Sequence, residues 1–404
     1  MNEKIELKRV ISLPFLIFYG VGTIVGGGFY ALLGEVVGAA GFFTPISLFL
    51  ATLIALFSAL SYAELSSRYP VSAGEARYVK EAFNSASLAQ MVGWVVIFTG
   101  VVSTATLTVA MARFLVELLP MENYIYIIGL VIFMGLIAMW GIKESVWFST
   151  VITIIEVGGL LFIVYIASDS FTLLQSNYEK LIPPMTLEVW QGIFVGIFLI
   201  FYAFIGFEDM VNIAQEVKDA KRVLPIAILV SIAITFVIYL LVSIVAIFSM
   251  ELSTFANAHA PLAQIAKGHS QTGYLAIWFI GILAGLNGAL VQVIMAARVL
   301  YGISKNNKLQ IFSKINKRTQ TPIYATLFIM FIVLLLALQF DLVLLAKSTS
   351  TIILVLFTLV NLSLIIIKKR EGRHDGFNVP LWLPVLGLVS TLLILGIHLT
   401  GLLF

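Results

Sequence analysis

The stretch that decides the fold reads Gly20-Val21-Gly22-Thr23-Ile24-Val25-Gly26-Gly27-Gly28-Phe29, and it interrupts an otherwise apolar segment. Its flanks, residues 10–19 and 30–40, are hydrophobic enough to sit in lipid. Each glycine inside a helix costs about 1 kcal/mol relative to alanine, so five glycines in nine residues predict a break. Backbone groups freed by a break inside a membrane are tolerated only where protein or a water-filled cavity satisfies them. The break is therefore a candidate binding site.

A second interruption lies about 180 residues later, in the stretch Tyr202-Ala203-Phe204-Ile205-Gly206-Phe207-Glu208-Asp209. A glycine and two carboxylates are poor material for the middle of an apolar helix. Glycines in membrane helices also allow close packing, so one cluster alone leaves both interpretations open. The five-glycine cluster together with a matching second site favours two breaks.

The composition indicates a membrane protein. Hydrophobic residues make up 60% of the chain and charged residues 11%, and the mean hydropathy is +1.05. A soluble domain needs far more charge to cover its surface. Apolar runs of about 20 residues recur along the whole length. We therefore predict an all-α polytopic membrane protein that forms one domain, residues 1–404, in a lipid bilayer and without a nucleic-acid partner.

Apolar runs between polar residues predict eleven transmembrane helices. The first is residues 10–40, and the others are 44–69, 88–119, 124–140, 146–167, 189–215, 224–250, 273–303, 322–340, 342–367 and 381–404. Cytoplasmic loops carry an excess of Lys and Arg, which tests this map. With the N-terminus in the cytoplasm, 20 of the 24 basic residues fall on the cytoplasmic side. A missed or invented helix would destroy this asymmetry, so we predict a multi-pass protein of the cell membrane with a cytoplasmic N-terminus.

The first and sixth segments are five spans apart, so they cross the membrane in opposite directions. We predict a 5+5 inverted repeat, residues 10–167 and 189–367, followed by an extra helix at 381–404. Helix halves that begin near the midplane present free N–H groups, which attract a carboxylate. Unwound carbonyls of the partner break accept hydrogen bonds from an ammonium group. A zwitterion carries both groups close together, so this geometry suits an amino acid.

Several motifs resemble those of the amino acid–polyamine–organocation (APC) superfamily of permeases. Residues 22–30 are similar to its helix-one signature G-x-x-I-G-x-G-I-F, with Val25 in place of isoleucine and Phe29-Tyr30 in place of Ile-Phe. Residues 70–78 resemble its P-x-x-G-G-x-Y loop, and Gly206-Phe207-Glu208 matches its G-F-E. Residues 216–225 resemble E-x-K-N-P-x-R-x-x-P, with Asp-Ala in place of Asn-Pro. The order and spacing of the motifs extend this resemblance over all eleven segments.

The resemblance implies a LeuT-like fold with discontinuous helices 1 and 6, and transport by alternating access. By motif position, it implies that the backbone N–H groups of Gly27 and Gly28, beside Gly26, receive a substrate carboxylate. It further implies that a substrate ammonium is received by the carbonyls of Ile24, Tyr202 and Ile205. The ring of Tyr202 would also act as a lid over the site.

Three acidic residues lie deep in the predicted segments, where carboxyl groups are costly and often functional. Glu156 lies in the middle of the fifth segment, at a position where many proton-coupled members that the chain resembles carry a lysine. We predict either a proton-coupling switch or a structural link to a polar neighbour such as Asn287. Glu208 either braces the second break or contacts a substrate amine, and Asp209 is expected to face the aqueous path.

Ion pairs are predicted from spacing of four residues along a helix. Arg113 and Glu117 stand in this relation at the outer end of the third segment, and Glu35 is a candidate to join both of them in an outer gate. Glu64 and Arg68 have the same spacing near the inner face.

These features predict a secondary active transporter for an amino acid, either proton-coupled or an exchanger. A neutral amino acid is favoured because no deep charge is clearly free to pair with a charged side chain. The alternatives are a transporter of a polyamine or another organic cation, and a membrane sensor that does not transport. The chain lacks H-E-x-x-H, G-x-S-x-G and a nucleotide-binding loop, has no cysteine, and scatters its four histidines. We therefore predict no enzyme activity, no cofactor and no metal site.

Overall fold

A computed structural model of the chain describes residues 9, 11–71, 74–140, 143–304, 309–316, 319 and 321–400. Within these residues the chain is built from α-helices and short 3₁₀ helices, with an isolated parallel bridge between Ile11 and Val217. The α-helices are α1 (Leu13–Val25), α2 (Gly27–Ala40), α3 (Thr44–Arg68), α4 (Gly74–Phe83), α5 (Ala86–Leu118), α6 (Asn123–Trp140), α7 (Lys143–Ile166), α8 (Asp169–Asn177), α9 (Leu187–Phe201), α10 (Ala220–Ser249), α11 (Leu252–Ala256), α12 (Pro261–Lys267), α13 (Gln271–Ser304), α14 (Ile323–Gln339), α15 (Leu342–Glu371) and α16 (Trp382–Leu399).

Both predicted breaks are present. The first segment consists of α1 and α2, which meet at Gly26. The sixth segment consists of α9, a 3₁₀ turn at Tyr202–Phe204, a non-helical step at Ile205 and Gly206, and a 3₁₀ helix at Glu208–Glu216. The discontinuous helices 1 and 6 are therefore confirmed.

Each of the eleven predicted segments contains a helix, and the described helix ends lie within a few residues of the expected ones. In the described part of the chain, seven helical stretches are long and apolar enough to span a membrane. Three further apolar helices, α1, α6 and α14, are shorter. The number of membrane crossings and the boundaries of the two repeats remain predictions. Sequence reasoning did not anticipate α4, α8, α11 and α12, which lie in the predicted loops.

The helix ends define two ends of the molecule. At the α4 end, the beginning of α1 meets the end of the sixth segment, because Ile11 N–H donates to Glu216 O at 3.0 Å and Lys218 N–H donates to Ile11 O at 2.9 Å. At the α12 end, Arg113 near the end of α5 pairs with Glu35 on α2 at 3.0 Å. That the α4 end lies in the cytoplasm remains a prediction from the distribution of Lys and Arg.

The longest helices, α5 and α13, form an antiparallel pair that supports the breaks. Small residues allow this close contact. A methyl group on Gly93 would lie 2.8 Å from Ile303, and one on Gly100 would lie 3.1 Å from Ala296. Near the other end, a methyl group on Gly285 would lie 2.6 Å from Met111. The beginning of α2 packs against this pair, since a Cβ atom on Gly27 would lie 2.4 Å from Gly285 of α13 and 3.2 Å from Leu107 of α5.

The predicted Glu64–Arg68 pair is confirmed at the α4 end, with a distance of 2.7 Å. Glu64 is fully buried and also accepts hydrogen bonds from Lys368 at 2.7 Å and from the backbone N–H of Val379 at 2.8 Å. The buried carboxylate is thus satisfied by two cations and one amide. It joins α3, α15 and the segment that leads to α16.

Candidate functional site

The first break exposes the beginning of a helix. Gly26 has φ −31° and ψ 178°, and its N–H makes the last bond of α1, to Gly22 O at 3.3 Å. α2 then begins at Gly27 without a hydrogen bond from a capping side chain. The first N–H groups of a helix have no partner inside it and carry the positive end of the helix dipole. Gly27 and Gly28 form this first turn, and the carboxylate site that the resemblance implies there remains a prediction.

The second break depends on one glycine. Gly206 has φ +132°, a conformation that other residues rarely adopt. A Cβ atom there would lie 2.4 Å from the carbonyl oxygen of Thr23. The Thr23 hydroxyl also donates to Gly206 O at 3.0 Å. The two breaks are therefore in direct contact, although 183 residues separate Thr23 from Gly206.

Tyr239 on α10 links the two breaks a second time. Its hydroxyl lies 3.0 Å from Ile24 O, before the first break, and 3.2 Å from Ala203 O, before the second. Its ring stacks on Phe29 with centroids 3.7 Å apart. Sequence reasoning missed Tyr239, and the signal that could have found it is a tyrosine in the middle of an apolar helix, where a buried hydroxyl needs a partner.

Tyr202 packs against the beginning of α2. A methyl group on Gly28 would come within 2.9 Å of the Tyr202 ring, so the ring covers the beginning of α2. The Tyr202 hydroxyl donates to Ser103 O at 3.1 Å and lies 3.0 Å from the Ser103 hydroxyl. Ser103 of α5, which sequence reasoning also missed, thus fixes the orientation of the ring.

The glycines of the first break also serve packing, as the alternative interpretation requires. A Cβ atom on Gly27 would lie 2.4 Å from the Cα atom of Gly285, and one on Gly26 would lie 3.5 Å from that of Gly288. Close packing against α13 and a helix break are therefore two consequences of the same glycine cluster.

Glu156 is fully buried on α7. Its Oε1 atom accepts a hydrogen bond from Asn287 Nδ2 at 3.3 Å, which is the structural link foreseen from the sequence. Tyr30 beyond the first break donates to the Glu156 carbonyl at 2.7 Å. Within the described residues, Glu156 Oε2 has no hydrogen-bond partner. The link and a proton-binding role are compatible, because one carboxyl oxygen is bonded and the other is not.

Glu208 braces the second break, since its Oε2 atom accepts a hydrogen bond from Gly206 N–H at 2.9 Å.

The expectation that Asp209 faces an aqueous path is wrong. Asp209 is 3% exposed, and its Oδ2 atom accepts a hydrogen bond from Gln292 Nε2 at 2.9 Å. The 3₁₀ helix turns Asp209 toward α13, which the sequence pattern could not show.

Comparison with known proteins identifies the family. Residues 10–401 match a family model described as an amino acid permease. The chain belongs to the amino acid permease family.

Two relatives and one solved structure resemble this permease. The vacuolar cationic amino acid transporter 2 of Arabidopsis thaliana is 29% identical over 391 residues, which cover 90% of the permease and 60% of that relative. The branched-chain amino acid permease BcaP of Bacillus subtilis (strain 168) is 26% identical over 389 residues, covering 91% and 82%. A mutant of the Eremococcus coleocola manganese transporter superposes with a TM-score of 0.66 at 12% identity, covering 99% of the permease and 90% of that structure. The permease is thus a multi-pass membrane protein with a LeuT-like fold.

The permease has a pocket at its α12 end. Ala31 and Ala110 line it deeper in, and the Glu35–Arg113 pair and His259 line it further out.

The predicted Arg113–Glu117 pair is wrong. Arg113 reaches across to α2 instead, and Glu117 accepts hydrogen bonds from Gln264 and Tyr274. The helices that lie opposite Arg113 and Glu117 therefore decide their partners, and the four-residue spacing along α5 does not.

Proposed function

We propose that this permease is a secondary active transporter that moves an amino acid across the cell membrane by alternating access, with its N-terminus in the cytoplasm. The observation that carries the proposal is the contact between the two breaks at Thr23 and Gly206. It brings the donor end of α2 next to the carbonyls of the sixth segment. Paired donors and acceptors of this kind fit the two charged ends of a zwitterion.

The proposed substrate contacts follow from this arrangement. The N–H groups of Gly27 and Gly28, beside Gly26, would bind the carboxylate. The carbonyls of Ile24, Tyr202 and Ile205 would bind the ammonium, with Glu208 close by. A carbonyl oxygen accepts two hydrogen bonds, so the bond from Tyr239 to Ile24 O leaves room for a second donor. The ring of Tyr202 would close over the bound molecule.

Glu156 is the proposed coupling residue, and the permease would be a proton symporter or an exchanger whose cycle depends on its protonation. The second carboxyl oxygen of Glu156, buried and without a partner among the described residues, supports this proposal. Glu156→Gln preserves the acceptor for Asn287 but removes the titratable proton. We expect uptake by this variant to lose its dependence on external pH while the folded protein remains. An unchanged pH dependence, measured between pH 5 and 8 (roughly the physiological range), would reject the coupling role.

The sequence favours a neutral side chain on the substrate, because no deep charge was clearly free to pair. The names of the relatives include both cationic and branched-chain amino acids. A cationic amino acid or another organic cation is the second candidate, and the buried carboxyl groups beside the second break favour it.

Flux into proteoliposomes tests the proposal. The purified permease should concentrate at least one labelled amino acid inside vesicles under an imposed proton gradient, or exchange it against an internal amino acid. Vesicles prepared in the same way without protein serve as the inactive reference. Binding without any flux would instead indicate a membrane sensor, and the transporter assignment would then fail.

A further inference from the structure

A short strap, residues 372–379, crosses the α4 end of the permease between α15 and α16. It contains no helix, yet both of its ends are fastened to α3. At one end, Arg68 Nη2 donates a hydrogen bond to Gly372 O at 2.6 Å. At the other end, the Val379 N–H donates to the buried carboxylate of Glu64 at 2.8 Å. The strap is therefore held against the last turn of α3.

Ser67 extends this attachment to a second helix. Its hydroxyl accepts a hydrogen bond from the Phe377 N–H at 3.0 Å and donates to Lys221 O, in the first turn of α10, at 2.8 Å. One side chain thus joins the strap to α3 and to α10. Because the strap continues directly from α15, it ties together the ends of three helices.

The ring of His374 holds the middle of the strap in shape. Its Nε2 atom lies 3.1 Å from Phe377 O, and its Nδ1 atom accepts a hydrogen bond from the Gly376 N–H at 3.2 Å. A carbonyl oxygen only accepts, so Nε2 carries the ring proton and Nδ1 carries none. Asn378 braces the same turn by donating to the carbonyls of His374 and Gly376, at 2.7 and 2.8 Å. Both ring contacts therefore require a neutral histidine.

A second proton on the His374 ring would disrupt this turn. It would lie on Nδ1 and point at the Gly376 N–H, so that two donors would face each other where a hydrogen bond was. Gly376 packs closely between the ring and Ser67 Oγ, since a Cβ atom there would collide with both. Movement at Gly376 also displaces the neighbouring Phe377 N–H, which is the group that bonds the strap to Ser67.

The charges around His374 have mixed signs. The charged groups on and around the strap are Arg373 and Asp375 of the strap itself, Lys368 and Glu371 of α15, Glu64 and Arg68 of α3, and Lys221 of α10. Glu64, the carboxylate that faces the ring, is already paired with Arg68 and Lys368. Partial burial is the largest influence on the ring, and it lowers the pKa of His374 from its ordinary value of 6.5. Neutral His374 therefore stabilises the strap above the ordinary pKa, and this stabilisation is lost as the pH falls through the lowered value.

We infer that the strap is a pH-sensitive latch, which neutral His374 keeps fastened across the ends of α3 and α10 and which protonation of His374 releases. Alternating access requires the helices to separate at one end at a time, so a fastened strap slows opening at the α4 end. Acidification on this side therefore speeds the transport cycle. This consequence for transport rests on the proposed function, whereas release of the strap does not.

A single introduced thiol reports the release, because the chain has no cysteine of its own. Val379→Cys places the thiol at a position that is 5% exposed while the strap is fastened. Its labelling rate is compared with that of the same thiol in a His374→Asn background, so that the pH dependence of the thiol itself cancels. Asparagine also accepts a hydrogen bond from the backbone two residues on, but it does not titrate.

We expect equal labelling in the two backgrounds at about pH 7.5, where His374 is neutral. At about pH 5, labelling with His374 present should be faster by about fivefold or more. His269→Asn is the matched control and should leave this difference unchanged, since His269 is an exposed histidine at the α12 end. Glu156→Gln should also leave it unchanged, which separates the latch from the proposed coupling residue. If His374→Asn does not fold, His374→Gln takes its place.

Exchange of a labelled amino acid across proteoliposomes, at equal pH on both sides, tests the effect on transport. We expect His374→Asn to match the unmodified permease at neutral pH and to exchange several-fold more slowly at acid pH, where only the unmodified strap is released. Equal labelling of the two backgrounds at acid pH, or equal exchange at both pH values, would overturn the latch. A permease that exchanges no amino acid contradicts the proposed function instead, and the labelling ratio then still decides whether the strap is released.

Discussion

The two breaks both interrupt the hydrogen bonds of a helix, but they differ in which polar groups they expose. The first is built from glycines, and the chain resumes a regular α-helix at once, so it presents N–H groups at the start of α2. The second passes through a positive φ at Gly206 into 3₁₀ helix, and the side chain of Glu208 satisfies the freed amide. The first break therefore offers donors and the second offers carbonyls and carboxylates.

Because of this difference, the proposed site would bind a zwitterion in one orientation. Two identical helix ends would attract the same charge, whereas a donor end beside an acceptor segment orients a molecule with one charge of each sign. The breaks are held together by Thr23 and by Tyr239. Substitutions that act on one break alone, or on the link between them, test this comparison.

The largest effect is expected at the second break. Gly206→Ala introduces a Cβ atom 2.4 Å from Thr23 O at a φ of +132°. We expect a loss of about 3 kcal/mol in stability, or failure to accumulate folded protein. The apparent melting temperature in detergent, read by fluorescence-detected gel filtration, measures it. Gly158→Ala is the matched control, because Gly158 is an exposed helical glycine with nothing within 4 Å of the added carbon. Equal stability of both variants would show that the second break does not require glycine.

At the first break, neighbouring glycines should respond differently. A Cβ atom on Gly27 would lie 2.4 Å from the Gly285 backbone, whereas the nearest atom to one on Gly26 is 3.5 Å away. We expect Gly27→Ala to cost about 2–3 kcal/mol and to reduce transport at least tenfold, because α2 must move away from α13. Gly26→Ala should cost less than about 1 kcal/mol. Thermal stability and initial uptake rates of the two variants, measured side by side, check the contrast. The reverse order would mean that α2 does not pack on α13 at Gly27.

The smallest expected effect concerns the link between the breaks. Tyr239→Phe retains the ring stacked on Phe29 but removes the hydroxyl near Ile24 O and Ala203 O. We expect a loss of about 1–2 kcal/mol, because the one hydroxyl proton that serves the two buried carbonyls is removed. Tyr165→Phe serves as the control, since Tyr165 is 77% exposed. The measurement is again the apparent melting temperature, and a Tyr239→Phe variant as stable as its control would mean that the hydroxyl does not hold the breaks together.

Much of the fold could be read from local patterns. Apolar runs locate the helices because their length must match the hydrocarbon core, and clustered glycines locate the breaks because they weaken a helix wherever it lies. The two breaks and the Glu64–Arg68 pair were foreseen in this way, whereas the Glu156–Asn287 contact was one of two alternatives offered for a glutamate deep in a helix. The partners of Arg113 and Glu117 and the burial of Asp209 were not foreseen, because each depends on which helix lies opposite.

The sequence by itself determined that the chain is a helical membrane protein interrupted at two places, since hydrophobicity and glycine content are properties of each segment alone. Only the tertiary structure decided what those interruptions face. It placed Thr23 against Gly206, Tyr239 across both breaks and Gln292 beside Asp209. Contacts between residues more than 30 positions apart depend on how whole helices pack, and no local pattern carries that information.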